Sequence, residues 1–164
     1  MGTETVPAGF DPTTGVTSKD VVIDSDAGLY VRLYLPDMAT FTGSPPNDDN
    51  NNKLPVLVYF HGGGFVTQSA ASPVYQCFLN ALAAKAGLFV VSVNYRLEPE
   101  HPLPAGYEDS FRALEWAVSA GNGDDPWLSR HGDLRRIFLA GDSAGRNIVH
   151  TVAVMAAAAL SSEA

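Results

Sequence analysis

Apolar residues along this chain fall into short runs separated by stretches rich in Gly, Pro, Asn and Asp. Val21-Val22-Ile23 and Leu29-Tyr30-Val31-Arg32-Leu33-Tyr34-Leu35 flank Asp26-Ala27-Gly28, a pattern that predicts a β-hairpin. Leu54-Pro55-Val56-Leu57-Val58-Tyr59-Phe60 and Leu88-Phe89-Val90-Val91-Ser92-Val93 are nearly unbroken apolar runs, as expected of buried strands. Between them, Ser72 and Pro73 supply an N-cap and a first-turn proline for a helix that Gly87 closes. Tyr107, Phe111, Leu114 and Val118 recur at helical spacing and predict a second helix with one apolar face. Asp124-Asp125-Pro126-Trp127 reads as loop, and Arg136 to Ala140 as a further strand. From Gly145 to about Leu160 runs a helix that is apolar nearly all round, through Ile148, Val149, Val152, Val154, Met155 and several alanines. It is too short to span a bilayer, so its expected place is against a sheet, covered by further layers.

Strands alternating with helices predict an α/β fold, a mostly parallel sheet with an N-terminal antiparallel hairpin and flanking helices. Residues 1–164 read as a single domain, with 1–19 and 36–53 as loop or disorder. The Asn-rich centre of the second stretch, Pro45 to Asn52, is low in complexity. The formal net charge of -8 argues against nucleic acid or an anionic membrane surface as partner. Cys77 is the single cysteine, which excludes an internal disulfide, and it is expected to be a small buried residue on its helix. The N-terminus lacks a basic segment followed by an apolar one, so no secretory signal is seen and a cytoplasmic location is expected.

The chemistry concentrates where two strands end. Arg136 to Ala140 runs into Gly141-Asp142-Ser143-Ala144-Gly145, and a helix follows at once, the context of a nucleophile elbow. Gly141 and Gly145 remove side chains where strand and helix come close, and Ser143 is the nucleophile candidate. The competing explanation is a plain helix start capped by Asp142 or Ser143. A second feature weighs against it. The strand Leu54 to Phe60 runs into His61-Gly62-Gly63-Gly64-Phe65, whose backbone amides are free to face an anion. Acyl transfer to serine needs such donors for its oxyanion, and Gly63, Gly64 and Ala144 are the candidates. No Cys/His/Asp cluster has metal-ligand spacing and no phosphate-binding glycine pattern occurs, so no metal or cofactor is implied.

These motifs, with Asp11-Pro12-Thr13-Thr14-Gly15-Val16, Asn94-Tyr95-Arg96-Leu97, Pro99-Glu100-His101-Pro102-Leu103-Pro104 and Asp125-Pro126-Trp127-Leu128, resemble the plant carboxylesterases of the hormone-sensitive-lipase branch of the α/β-hydrolases. The resemblance implies a serine carboxylic-ester hydrolase acting on a small-molecule ester, with His61 orienting backbone rather than moving protons. Two positions depart from the pattern. Glu98 stands where a small residue is expected, and Arg146 stands where a glycine or other small residue usually follows the elbow. The family's order is Ser, then Asp or Glu, then His, and after Ser143 this chain offers only His150 and Glu163. His150 lies seven residues along the same helix, about 10 Å up its axis, and cannot turn back to the elbow. The chain thus resembles the N-terminal half of a hydrolase, lacking two members of the triad and expected to be inactive alone. Its exposed sheet edge is expected to drive self-association. The alternatives are a non-catalytic small-molecule-binding protein resembling the gibberellin receptors, or a non-functional truncated gene product. Those receptors usually carry serine in place of the last glycine of the run, whereas Gly64 is intact here.

Overall fold

A computed structural model describes residues 4–42 and 53–162. Six strands form one mixed sheet in the order β1-β2-β3-β5-β4-β6. The N-terminal part is antiparallel: β1 (Phe10–Asp11), β2 (Val16–Asp24) and β3 (Leu29–Leu35) form a meander. Its tight turn contains Gly28 at φ 68, a conformation that glycine adopts without strain. A short helix, α1 (Met38–Thr42), follows. The parallel part comprises β4 (Leu54–Phe60), β5 (Phe89–Asn94) and β6 (Gly132–Gly141), with β4 in the middle. β3 joins the two parts by pairing antiparallel with β5.

Helices connect the parallel strands. Helix α2 (Pro73–Ala86) links β4 to β5 and packs Tyr75, Leu79 and Ala83 on the sheet face that carries Tyr34, Leu57, Tyr59 and Val90. Gly87 ends it in the left-handed conformation at φ 63 and donates its N–H to Ala83 O. Helices α3 (Ala105–Ser119) and α5 (Ala144–Ser162) cover the opposite face, where Val31, Leu33, Val56, Val58, Phe60, Val91 and Val93 meet Ala113, Ala117, Ile148 and Val152. Alternate residues of each strand therefore serve two different cores, which is why the strands read as continuous apolar runs.

Several expectations are corrected. β1 and the first half of β2 lie inside 1–19, and α1 lies inside 36–53, stretches that read as loop because they are short and carry no apolar period. The Asn-rich run 47–52 lies outside the described residues, as does Glu163. Three strand pairs are antiparallel and two are parallel, so the sheet as a whole is mixed, with its parallel part confined to β5, β4 and β6. The Asp124–Trp127 loop contains a helix start: Asp125 accepts the N–H groups of Trp127 and Leu128 and caps α4 (Pro126–His131). On α3 the expected apolar face holds for Tyr107, Phe111 and Leu114, which pack half-buried against the core, but Val118 is exposed and the fully buried line is Gly106, Asp109, Ser110, Ala113 and Ala117. Small residues let that helix sit close to the sheet. Cys77 is exposed, because α2 turns Tyr75, Leu79 and Ala83 inward and its other face out. On α5 only Ala144, Gly145, Ile148 and Val152 are buried, and Val154 and Leu160 lie open.

Candidate active site

Strands β4 and β6 are parallel neighbours in register, with Phe60 opposite Gly141, so their C-terminal ends lie side by side. The glycine loop and the serine turn leave the sheet at one edge, where α/β proteins place their binding sites. The turn is sharp. Ser143 sits at φ 49, and α5 begins at the next residue. A serine pays for that conformation, which is the strain expected of a nucleophile elbow. The two flanking glycines are explained by backbone. A Cβ on Gly141 would lie 2.6 Å from both Phe60 O and the Gly145 carbonyl carbon, and one on Gly145 would run into Phe60 O.

The glycine loop is equally constrained. Gly63 and Gly64 have φ of 107 and 64, and Phe65 follows at 66. Gly63 O accepts the N–H groups of Val66 and Thr67, both at 3.1 Å, and this closes the loop as a tight turn. Among the described residues, the amides of Gly63, Gly64 and Ala144 donate to no acceptor. Gly62 differs. Its N–H is shared between Asp142 Oδ1 at 3.0 Å and Tyr75 Oη at 2.8 Å. A Cβ there would lie 2.5 Å from Asp142 Oδ2, so the loop touches the elbow at this glycine.

Asp142 is the meeting point. Its Oδ1 also accepts Tyr59 O–H at 3.0 Å, and its Oδ2 accepts Tyr75 O–H at 3.0 Å. Burial, then the nearby carboxylate, pushes the Tyr59 hydroxyl well above the ordinary phenol range. The Tyr75 hydroxyl is pushed up to about 12, chiefly by burial. Asp142 therefore does not use its side chain as a helix cap. Its backbone carbonyl accepts Gly145 N–H at 2.8 Å instead.

His61 is fully buried beneath the loop. Its Nδ1 donates to Gly62 O at 2.7 Å, and its ring stacks on Tyr95 with centroids 4.3 Å apart. Tyr95 O–H donates to His61 O at 2.6 Å. Nε2 has no hydrogen-bond partner among the described residues. Burial depresses the imidazole pKa to about 4, so the ring is neutral and a weak base. His150 is exposed on α5 and His101 is exposed in the proline-rich segment. Glu98 is tied to the loop through its N–H, which donates to Phe65 O at 2.8 Å.

Sequence reasoning missed the tyrosines. Tyr59 lies in a run that reads as a buried strand, the sequence assigns Tyr75 and Tyr95 no role, and nothing local in it links these hydroxyls to groups up to 83 positions away. It also missed Asp109, which is fully buried and accepts the backbone N–H, Nε and Nη2 of Arg96 at 2.8–3.0 Å. That pair fixes the start of α3 against the segment after β5.

A sequence profile described as the alpha/beta hydrolase fold matches residues 57–163, and one described as the carboxylesterase family matches residues 3–100. The chain belongs to the carboxylesterase family of the α/β-hydrolase fold. A carboxylesterase named probable carboxylesterase 13, from Arabidopsis thaliana, is 47% identical over 96% of this chain and 47% of its own length. Tuliposide A-converting enzyme 2, chloroplastic, from Tulipa gesneriana is 51% identical over 95% of this chain and 38% of its own. The hyperthermophilic esterase of Pyrobaculum calidifontis is 34% identical and superposes with a TM-score of 0.64 over 85% of this chain and 38% of its own. The chain thus spans 38–47% of the length of these relatives.

Arg146 is exposed in the first turn of α5 and has no ion pair among the described residues. A cation there opposes the helix dipole, by about 0.3–1 kcal/mol. Arg146→Gln keeps helix propensity, whereas glycine would forfeit about 1 kcal/mol. The glutamine variant should melt about 1–3 °C higher by calorimetry, and a lower Tm would reveal a favourable partner for the guanidinium.

Proposed function

We propose that this chain carries the nucleophile and oxyanion-binding elements of a carboxylic-ester hydrolase acting on a small-molecule ester. Ser143 is the nucleophile, and the amides of Gly63, Gly64 and Ala144 are the donors to the oxyanion of the tetrahedral intermediate. One observation carries this assignment. Ser143 occupies a strained strand-to-helix turn beside a glycine loop whose two following amides have no other acceptor. Each such donor is worth about 2.7–4 kcal/mol of barrier. Gly141, Gly145 and Gly62 serve by letting the backbones approach, and His61 serves by holding the loop from below.

The serine proton needs a base, and the described histidines do not provide one. His61 is buried, neutral and committed through Nδ1 to Gly62 O, and His150 is exposed about 10 Å along the helix. Losing the histidine of a serine triad costs on the order of a millionfold in kcat. This chain should therefore hydrolyse p-nitrophenyl acetate no faster than its own Ser143→Ala variant. Turnover that depends on Ser143 would mean that a base reaches the elbow by a route outside this geometry.

We also infer that the free side of the sheet mediates self-association. β6 is an edge strand, Phe138 on it is 55% exposed, and Val154 on α5 is 56% exposed. An open edge beside apolar side chains is a template for pairing. Phe138→Lys combined with Val154→Lys should move the protein toward the monomer volume in size-exclusion chromatography, and an unchanged profile would remove this edge as the cause. No helix among the described residues is long and apolar enough to cross a membrane. Cytoplasmic location remains part of the proposal, although the tulip relative's name places that protein in the chloroplast. A fluorescent fusion found in plastids would replace it.

A further inference from the structure

The Asp142 carboxylate accepts Tyr59 O–H from the end of β4, Tyr75 O–H from the first turn of α2 and the Gly62 N–H from the glycine loop. It thus touches three segments that lie 67, 80 and 83 positions before it in the chain, while sitting next to the nucleophile candidate. We propose that Asp142 is a positioning residue whose charge clamps Gly62 to the elbow and so selects which loop amides are left for the oxyanion. This rests on the assignment of Ser143 and the loop as catalytic elements, and it adds how they are held together.

The selection follows from donor counting. A carboxylate accepts several hydrogen bonds and donates none, so it draws N–H and O–H groups toward itself. Gly62 spends its N–H on Asp142 Oδ1 and on Tyr75 Oη. Tyr75 can accept from Gly62 and still donate its own proton to Asp142 Oδ2, which closes a small ring of donors and acceptors. With Gly62 pinned, the turn closed by Gly63 O leaves the next two amides unspent. Asparagine at this position keeps the shape but loses the charge, and its NH₂ group faces a hydroxyl proton unless the network rearranges. The hydroxyls of Tyr59 and Tyr75 are held protonated by burial and by this carboxylate, which keeps them as donors at any ordinary pH.

The test reads the loop itself, without substrate. In glycine-selective ¹⁵N-labelled protein, Asp142→Asn should move the Gly62 amide proton upfield, because a charge-assisted bond is lost. The Gly63 and Gly64 signals should shift or split as the loop loses its single arrangement. Gly15 and Gly87, in distant turns, should stay in place. Tyr75→Phe should act with the opposite sign on Gly62: its N–H, no longer shared, turns wholly to Asp142 and moves downfield, while Gly63 and Gly64 hold their positions. A merely stabilising aspartate would lower the melting temperature without moving Gly63 and Gly64. Unchanged Gly62, Gly63 and Gly64 resonances in a folded Asp142→Asn protein overturn the clamp. Should that variant not fold, an unmoved Gly62 signal in Tyr75→Phe overturns it instead. Failure here is separable from failure of the catalytic assignment, which the Ser143-dependent turnover of esters decides and these resonances do not.

Discussion

Gly145→Ala is expected to prevent this chain from folding to a soluble product, or to cost more than about 3 kcal/mol where it does fold. The added Cβ would run into Phe60 O and lie 2.7 Å from Phe60 C and 2.9 Å from His61 O. All three atoms are backbone, fixed by the pairing of β4 with β6, so no side-chain rotation can relieve the clash. Ordinary overpacking of a core costs about 1–3 kcal/mol because side chains can move, and here they are not the obstacle. Gly64→Ala is the natural comparison. Nothing lies within 4 Å of its added Cβ, and only the φ of 64 is unfavourable, so it should cost about 1 kcal/mol. Gly9→Ala, with open space and no positive φ, should be neutral or slightly stabilising. Urea denaturation of the three variants ranks them, and Gly145→Ala at the level of Gly64→Ala would mean that β4 and α5 can separate at this point.

The second large effect is a loss of stability between pH 6.5 and pH 4. His61 has a folded pKa of about 4 against an ordinary 6.5, because burial disfavours its charged form. The unfolded chain therefore takes up a proton in that window and the folded one does not. Stability is full above pH 6.5 and falls as the pH drops toward 4. At about 1.4 kcal/mol per pH unit the loss amounts to about 3 kcal/mol. His131 is also depressed, first by burial and then by Arg130, and adds to the same window. Carboxylates such as Asp133, held low by hydrogen bonds from Arg135 and Arg136, act only at lower pH. His61→Asn should flatten the dependence of denaturation midpoint on pH between 6.5 and 4, and His131→Asn should flatten it less. A slope in His61→Asn equal to the wild type would show that His61 carries its proton in the folded state.

Much of the site was legible because its constraints are local. Gly141-Asp142-Ser143-Ala144-Gly145 announces a tight turn by the glycines it needs, and Gly87 announces the end of α2 in the same way. The hairpin around Gly28 and the buried strands β4 and β5 were equally open to inspection, since apolar runs bounded by turn residues leave few alternatives. What escaped was set by tertiary contact. The start of α4 is an exception: Asp125-Pro126 carries the same cap and first-turn proline as Ser72-Pro73, but only six residues follow and no apolar period marks them as a helix. On α3 the aromatic period was real, but the sheet accepted the smaller residues next to it. The partners of Asp142 escaped for the same reason, because Tyr59 and Tyr75 lie 83 and 67 positions from it and no local pattern marks their hydroxyls.

The pairing of β4 with β6 bears on the order in which the molecule can form. Phe60 and Gly141, opposite one another at the strand ends, are 81 positions apart in the chain. The meander of β2 and β3 needs only a short turn and can form on the microsecond scale of isolated hairpins. Docking β6 must first overcome the closure entropy of the long intervening segment, and parallel pairing of distant segments is intrinsically slow. During synthesis the glycine loop is exposed to solvent well before the elbow has left the ribosome. The carbonyl of Phe60 meets Gly145 only when β6 and α5 have docked, so the candidate site cannot form before that long-range pairing does.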